Sequence, residues 1–318
     1  MSGADRPVDR IRRVSVLGCG TVGASWALYF LASGLEVTVY DTDPAREVFV
    51  RSYIERGWST MRRLSQGLAE TPPAVIFRLD LHDAIDGADY VQEAVPDVVS
   101  VKRDLFGRLD DMLPAHVIVA SSTSSLLMSE LQAGLLTAER FVVAHPFNPP
   151  HLIPVVEVVG GKLTSARTRD ATCAFLARIG KTVLRLRKEI RGHLVNRLQA
   201  ALFQEAVWLV QEGVADVEDI DRGMAMGPGL RWAAAGPFLT FHLGADAGGI
   251  RSYLQHLGAA HERMWEDLQR VPTIRPDVAE QIATGVQAEV GTSTVAQLAA
   301  RRDEALIALL NLLRSKQV

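Results

Sequence analysis

The chain contains 318 residues, enough for about two domains, since a domain typically has roughly 100–200 residues. Its formal net charge of −3 and its 22% of charged residues give no electrostatic basis for binding nucleic acid or an anionic membrane. No apolar run reaches the ~18 residues that cross a bilayer, and the polar start has no signal-peptide core, so we expect a cytoplasmic protein that binds neither nucleic acid nor membrane.

Strand-like and helical segments alternate through the first part of the chain. Helical patterns at 101–113 and 167–179 separate short apolar runs. These strand-like runs are residues 14–17, 36–40, 75–78, 90–95, 117–121, 141–144, 155–159 and 183–186. Such alternation is typical of an α/β fold, in which a Rossmann-type, doubly wound and mostly parallel sheet is covered by helices on both faces.

The pattern changes after about residue 189. Apolar residues recur at helical spacing over 194–213, and a last helical segment covers about 293–313. Pro228 and Pro237 bracket a segment that we predict to be a loop, and no convincing strand follows residue 189. The sequence therefore predicts a Rossmann domain at 1–189 and an all-helical C-terminal domain at 190–318.

A G-x-G-x-x-G turn joins the first strand to the first helix. The first glycine permits a tight turn, the second permits close approach of a pyrophosphate, and the third lets the helix pack on the sheet. The phosphates then bind free N–H groups at the positive end of the helix. The predicted dinucleotide site consists of Gly18, Gly20, Thr21, Val22 and Gly23.

Asp41 ends the second strand, 23 residues after Gly18. A carboxylate at this spacing accepts a hydrogen bond from the ribose 2′-hydroxyl of NAD and repels the 2′-phosphate of NADP, so NAD is the predicted cofactor. Cys19 lies inside the turn and is interpreted as a small residue. Neither it nor Cys173 has the spacing of a metal ligand, and no metal site is predicted.

Four polar residues supply what alcohol oxidation by NAD requires. A base must take the hydroxyl proton, and histidine suits this role because its ordinary pKa lies near neutral pH. His145 follows an apolar strand, and Glu157 on the next strand would fix its tautomer. Ser124 and Asn196 would hydrogen-bond the substrate oxygen. Glu157 alternates with valines, however, so the pattern alone also allows it to face solvent.

Four segments resemble the motifs of the L-3-hydroxyacyl-CoA dehydrogenase superfamily in order and spacing. They are Ser-Ser-Thr-Ser-Ser-Leu at 121–126, His-Pro-Phe-Asn-Pro-Pro at 145–150, Pro-Val-Val-Glu-Val-Val at 154–159 and Gly-His-Leu-Val-Asn-Arg-Leu at 192–198. The resemblance covers nearly the whole chain. It implies the same roles: His145 as base, Glu157 as its partner, and Ser124 and Asn196 as donors on the substrate side.

The resemblance also implies further contacts with NAD. It assigns Asn148 to the neighbourhood of the nicotinamide, and Asp97 and Lys102 to the cofactor. Asp97 is shorter than the glutamate common at this position, which weakens its assignment. His193, in the last of the four segments, is interpreted as a packing residue.

Residues 227–243 and 299–304 resemble one branch of the superfamily, which contains lambda-crystallin, L-gulonate 3-dehydrogenase and L-carnitine dehydrogenase. The enzymes of this branch act on free 3-hydroxy acids. Arg231 then suits a bidentate contact with a substrate carboxylate. A surface or interface arginine is the alternative interpretation.

Aromatic residues in the same region suit a cationic substrate. Carnitine carries a trimethylammonium group, and such cations bind over aromatic faces. The aromatic residues concerned are Trp232, Phe241, Tyr253 and Trp265, which could equally serve helix packing. The predicted order of substrates is carnitine or a related short 3-hydroxy acid, then L-gulonate, then a 3-hydroxyacyl-CoA.

Two alternatives to an enzyme are a crystallin-like protein and an NAD(H)-binding regulator. The first predicts loss of His145 or Glu157, and both are present. The second would keep the glycine turn and Asp41 but needs no base, so we favour the enzyme. The apolar helix at 194–213 and the resemblance further predict a homodimer through the helical, substrate-binding domain.

Overall fold

The computed structural model describes residues 11–268 and 273–316, which form two compact units. The first unit ends at Arg197 and the second begins at Leu198. The boundary falls in the first turn of a helix that spans Val195–Gln211.

Among the described residues, an eight-stranded sheet forms the centre of the first unit. Its strands are β1 (Arg13–Leu17), β2 (Glu36–Tyr40), β3 (Ile76–Arg78), β4 (Tyr90–Glu93), β5 (Ile118–Ser121), β6 (Phe141–Pro146), β7 (Val155–Gly160) and β8 (Thr182–Arg185). The spatial order is β3-β2-β1-β4-β5-β6-β7-β8, and β6 and β7 run antiparallel while the other neighbours are parallel. The predicted doubly wound, mostly parallel sheet is confirmed.

Helices pack on both faces of this sheet. They are α1 (Thr21–Ala32), α2 (Arg46–Leu64), α3 (Leu81–Ile85), α4 (Val99–Met112), α5 (Met128–Leu131) and α6 (Ala166–Arg178), with a 3-10 turn at Ala138–Arg140. Successive residues of a strand point to opposite faces. Val119 accordingly belongs to the apolar core under α4, and Ala120 to the core under α1 and α6.

The order of strands reverses between β1 and β4. Such a switch point opens a crevice at the carboxyl ends of the strands, where doubly wound sheets bind their ligands. The glycine turn follows β1, Asp97 follows β4 and Ser124 follows β5. The topology therefore brings these predicted site residues to one edge of the sheet.

The described residues of the second unit form helices and no strand. The helices are α7 (Val195–Gln211, which begins in the first unit), α8 (Val217–Met226), α9 (Pro228–Ala234), α10 (Pro237–Leu243), α11 (Gly249–Asp267), α12 (Pro276–Val290) and α13 (Val295–Lys316). Across the described part of the chain, no helix is both long enough and apolar enough to cross a bilayer.

The prediction of a loop between Pro228 and Pro237 is wrong. Each proline is instead the first residue of a short helix, α9 or α10. Proline suits this position because the first N–H groups of a helix have no partner within it, and because its fixed φ is helical.

Candidate active site

The glycine turn leaves β1 at the switch point of the sheet. Gly18 has a φ of +96°, and a Cβ there would lie 2.7 Å from the backbone of Ala94. A Cβ on Gly23 would lie 1.8 Å from the carbonyl oxygen of Gly18, so α1 packs directly on the turn. A Cβ on Gly20, by contrast, would meet no atom within 4 Å. Packing requires the first and third glycines, whereas the second borders open space.

The start of α1 has the properties of a phosphate site. Gly20 is its N-cap, no side chain caps it, and its first turn contains no acidic residue. Thr21 is exposed and Val22 half-buried at this helix start. The first N–H groups have no acceptor within the helix and lie at the positive end of its dipole. These residues fit the diphosphate of NAD.

Asp41 lies beside the glycine turn. Its Oδ2 accepts the Cys19 N–H at 2.7 Å and its Oδ1 accepts the Asp43 N–H at 3.1 Å. The carboxylate is thus fixed at the carboxyl end of β2 and half-exposed, which fits a ribose hydroxyl. Burial and the Asp41 charge raise the pKa of the Cys19 thiol to about 12, so this thiol stays protonated.

Glu93 and Lys102 form a buried ion pair at the carboxyl end of β4. Nζ of Lys102 lies 2.5 Å from Oε1 of Glu93 and 3.3 Å from Oδ1 of Asp97, and it donates to the Val95 carbonyl at 3.0 Å. The Ser121 hydroxyl donates to Oε2 of Glu93 at 2.5 Å. The ammonium is thus surrounded by oxygens of the protein and holds Asp97. Direct contact of Lys102 with NAD stays a prediction.

His145 and Glu157 face each other across the antiparallel strands β6 and β7. Nδ1 of His145 lies 2.8 Å from Oε2 of Glu157, and the exposed fractions of the two residues are 4% and 0%. Glu157 is therefore buried rather than solvent-facing. A carboxylate at Nδ1 holds the proton there and leaves Nε2 of the neutral ring as the acceptor.

The second oxygen of Glu157 is held by the start of α7. Oε1 accepts the N–H groups of Leu194 and Val195, each at 2.9 Å. Burial raises the pKa of Glu157, but the hydrogen bonds from His145, Val195 and Leu194 outweigh it and bring the pKa below its ordinary value. Glu157 is therefore ionised at neutral pH.

Ser124 and Asn196 also lie together. Nδ2 of Asn196 donates to the Ser124 carbonyl at 3.3 Å, and the Ser124 hydroxyl and N–H donate to Oδ2 of Asp97 at 2.8 and 2.9 Å. Burial raises the pKa of Asp97, yet the Ser124 N–H and the Lys102 charge outweigh it, so the pKa is lowered. The Ser124 hydroxyl is thus used by Asp97 and would have to turn in order to donate to a substrate oxygen.

Two further residues lie near this site: Glu93, which has no predicted role, and His193, which was interpreted as a packing residue. Glu93 is buried, and its signal was an acidic residue inside the strand predicted at 90–95. His193 is 1% exposed, its Nε2 lies 2.9 Å from the Thr123 carbonyl, and its ring centroid lies 5.1 Å from that of His145. Its φ of 50° and its burial leave no pattern in the sequence.

The remaining predicted residues lie on other segments. Asn148 is exposed in the loop between β6 and β7, before a cis peptide bond to Pro149. Arg231 and Trp232 are neighbours on α9 of the second unit, and both are exposed.

The second unit contains an aromatic cluster. The ring centroids of Phe241 and Tyr253 lie 4.8 Å apart, and those of His261 and Trp265 6.2 Å apart. His261 also lies 5.4 Å from Phe241, so it joins the two pairs. The sequence-based set anticipated three of these rings and missed His261.

Two family models match consecutive parts of the chain. Residues 13–190 match the NAD-binding domain of 3-hydroxyacyl-CoA dehydrogenase, and residues 192–297 match the C-terminal domain of the same family. The first match lies in the first compact unit, and the second match continues into the second unit as far as residue 297. The glycine turn, Asp41 and the uncapped start of α1 lie within the first match, as an NAD site requires.

Curated relatives match nearly the full chain. L-carnitine dehydrogenase of Streptomyces coelicolor is 38% identical over 302 residues, which cover 95% of each chain. L-carnitine dehydrogenase of Bacillus cereus is 40% identical over 309 residues, which cover 96% of this chain and 93% of the relative.

Solved structures of other dehydrogenases are similar to this chain. The crystal structure of 5-formyl-3-hydroxy-2-methylpyridine 4-carboxylic acid 5-dehydrogenase, an NAD⁺-dependent dismutase, has a TM-score of 0.84 at 31% identity and covers 96% of this chain and 99% of that one. The 3-hydroxybutyryl-CoA dehydrogenase of Escherichia coli has a TM-score of 0.64 at 25% identity, and covers 87% of this chain and 57% of that one. The chain belongs to the 3-hydroxyacyl-CoA dehydrogenase family and is an NAD-dependent oxidoreductase acting on a 3-hydroxy acid.

Proposed function

We propose that this enzyme oxidises the 3-hydroxyl group of a short, free L-3-hydroxy acid to the 3-keto acid, and that an L-carnitine-like molecule is the preferred substrate. The observation that carries the proposal is the buried His145–Glu157 pair at the carboxyl end of β6. The choice of a carnitine-like substrate is supported by relatives of that name at 38–40% identity.

The proposed mechanism uses Nε2 of His145 as the base. The start of α1 and Asp41 would hold NAD⁺, which would supply the acceptor for the hydride from C3 of the substrate. As the hydride leaves, Nε2 takes the proton of the 3-hydroxyl group, because Nδ1 is already held by Glu157. The ionised Glu157 then stabilises the imidazolium, as the carboxylate of a catalytic triad does.

Ser124 and Asn196 are proposed to orient the substrate oxygen. The amide of Asn196 can donate to the substrate oxygen, and the Ser124 hydroxyl can do the same by turning from Asp97 toward the substrate. Their mutual contact at 3.3 Å supports a joint role. Asp97 fixes Ser124, and its proposed contact with NAD would use the oxygen that faces Lys102.

Arg231 and the aromatic residues are proposed to select the substrate. Arg231 would bind the substrate carboxylate in a bidentate pair, with Trp232 beside it on α9. The aromatic cluster of Phe241, Tyr253 and Trp265, now joined by His261, would bind a trimethylammonium group. A CoA thioester has no free carboxylate, so these features favour a free acid.

A 3-hydroxyacyl-CoA is another candidate substrate. It is favoured by the description of the family whose models match both parts of the chain. In that case Arg231 would have no carboxylate to bind.

The test is NADH formation by the purified protein with L-carnitine, L-gulonate, L-3-hydroxybutyrate and L-3-hydroxybutyryl-CoA. We expect the highest kcat/KM with L-carnitine. Arg231→Ala should raise KM for the free acids and leave KM for the thioester unchanged, while Arg251→Ala on α11 serves as the matched control. Preference for the thioester, or equal effects of Arg231→Ala on acid and thioester, would contradict the proposal.

We further propose that residues 190–318 form a substrate-binding and dimerisation domain of a cytoplasmic homodimer. The second unit buries few apolar side chains, and large ones on α7 are exposed: Leu198, Leu202 and Phe203. An exposed apolar face of this kind suits a second copy of the chain. Sedimentation equilibrium should give the dimer mass, and Leu202→Asp should shift it toward the monomer; a monomeric parent protein would refute the dimer.

A further inference from the structure

We propose that Lys181, Ser25 and His151 form a tie that fixes the loop between β6 and β7 to α1, and so sets the spacing between the NAD site and His145. The three are positioning residues rather than catalytic residues. The inference rests on the proposed function only for the location of the reacting groups.

Lys181 holds two carbonyl groups of the loop. Its ammonium donates to the Pro150 carbonyl and, at 3.2 Å, to the Ile153 carbonyl. The same Nζ lies 3.7 Å from the centroid of the Tyr29 ring, which belongs to α1. Lys181 is 5% exposed and therefore joins the loop to α1 within the interior of the first unit.

Ser25 and His151 make the second connection between the same two elements. Oγ of Ser25, in the second turn of α1, accepts the backbone N–H of His151 at 2.9 Å and lies 2.7 Å from its ring Nδ1. Both residues are buried. The connection spans 126 positions of sequence, so it fixes tertiary structure rather than a local turn.

The tie joins α1, which begins at the predicted NAD site, to the loop that follows His145. The start of α1 fits the diphosphate of NAD, and Ser25 lies one turn along that helix. The loop connects His145 on β6 to Glu157 on β7 and carries Asn148. Holding the loop against α1 therefore holds the base and its carboxylate at a constant distance from the cofactor site.

The chemistry of Lys181 supports a positioning role. Among the described residues, no ion pair joins Lys181 to a carboxylate, and burial lowers its pKa to about 7. An isolated buried amine is costly, and an apolar side chain would usually serve packing better. What Lys181 adds over an apolar residue is a pair of directed N–H donors for the loop carbonyls.

Three variants test the tie. Ser25→Ala removes the connection to His151 with the loss of one atom, and Lys181→Met removes both donors while keeping a long side chain. Ser33→Ala is the matched control, because the Ser33 hydroxyl donates to the Tyr29 carbonyl at the other end of α1. Each protein is examined for amide hydrogen exchange over residues 147–154 without ligand, for NADH affinity, and for kcat with protiated and C3-deuterated substrate.

We expect Ser25→Ala and Lys181→Met to accelerate amide exchange over residues 147–154. Both should lower kcat about tenfold or more, because the reacting groups are misplaced. The isotope effect on kcat should increase, because hydride transfer becomes slower. NADH affinity should change little, and Ser33→Ala should resemble the parent protein. Unchanged exchange in Ser25→Ala would refute the tie, even if no hydroxy acid is oxidised. Faster exchange with unchanged kcat and isotope effect would refute its part in the reaction.

Discussion

At the scale of single residues, the fixed position of Asp41 governs the choice of cofactor. Its carboxylate is oriented by the Cys19 N–H, so its charge stays beside the glycine turn. A 2′-phosphate brought to the same place would meet a like charge.

Asp41→Arg should therefore favour NADP over NAD. We expect the ratio of kcat/KM for NAD to that for NADP to fall about tenfold or more, which corresponds to a change of ~1.4 kcal/mol. Asp41→Asn is the control, because its amide oxygen can still accept the Cys19 N–H while the charge is removed. It should weaken NAD selectivity less than arginine does. Unchanged selectivity for NAD over NADP in both variants would show that Asp41 does not contact the ribose.

Single residues of the candidate site also differ in how far the sequence predicts their contacts. The pairing of His145 with Glu157 was expected from their order, and a cross-strand register brings the two residues opposite each other. The burial of Glu157 could not be predicted, since an acidic residue among valines fits either face of a strand. The contact of His193 with Thr123 depends on a backbone φ of 50°, which no periodic pattern encodes.

At the scale of elements, the glycines of the turn between β1 and α1 have different roles: Gly23 serves packing and Gly20 serves ligand binding. Gly23→Ala should destabilise the protein, because its Cβ would lie 1.8 Å from the Gly18 carbonyl oxygen. Gly20→Ala should leave the free energy of unfolding nearly unchanged, because its Cβ would meet open space and its φ of −70° suits alanine. The same Cβ would obstruct the diphosphate, so NADH affinity should fall.

Urea unfolding and NADH titration of the two variants decide between these effects. If both variants lost the same free energy of unfolding, the packing around Gly23 would be no tighter than the packing around Gly20. Unchanged NADH affinity in Gly20→Ala would place the diphosphate elsewhere.

Element types were predictable where apolar patterns are long or nearly continuous. The strands of the sheet are short apolar runs between turn residues, and both the sheet and the helices beyond it were anticipated. The two short helices α9 and α10 were not anticipated, because the proline at the first residue of each is also typical of a loop. The antiparallel placement of β7 depends on a connection too short for a parallel crossover.

At the scale of the whole molecule, Lys181 should make stability depend on pH. Burial lowers its pKa from 10.5 to about 7 in the folded state. Between these two values the unfolded chain binds more protons than the folded one, so the free energy of unfolding rises with pH across this window. Below about pH 7 both states are protonated and this contribution no longer changes.

Lys181→Met should remove this rise. The measurement is urea unfolding of both proteins at several pH values between about 7 and 10.5. The stability difference between parent and variant should grow in favour of the parent as pH increases. Lys162→Met, at an exposed lysine of the same unit, is the control. Parallel curves for parent and Lys181→Met would contradict the predicted linkage.

The role of His145 as the base is tested most directly by the turnover of His145→Gln with the substrate that the parent enzyme prefers. Glutamine can still donate to Glu157 but cannot take the hydroxyl proton. We expect kcat to fall about 10²–10⁴-fold, while NADH affinity and the free energy of unfolding stay close to those of the parent. Retained turnover in a variant that binds NADH normally would show that His145 is not the base.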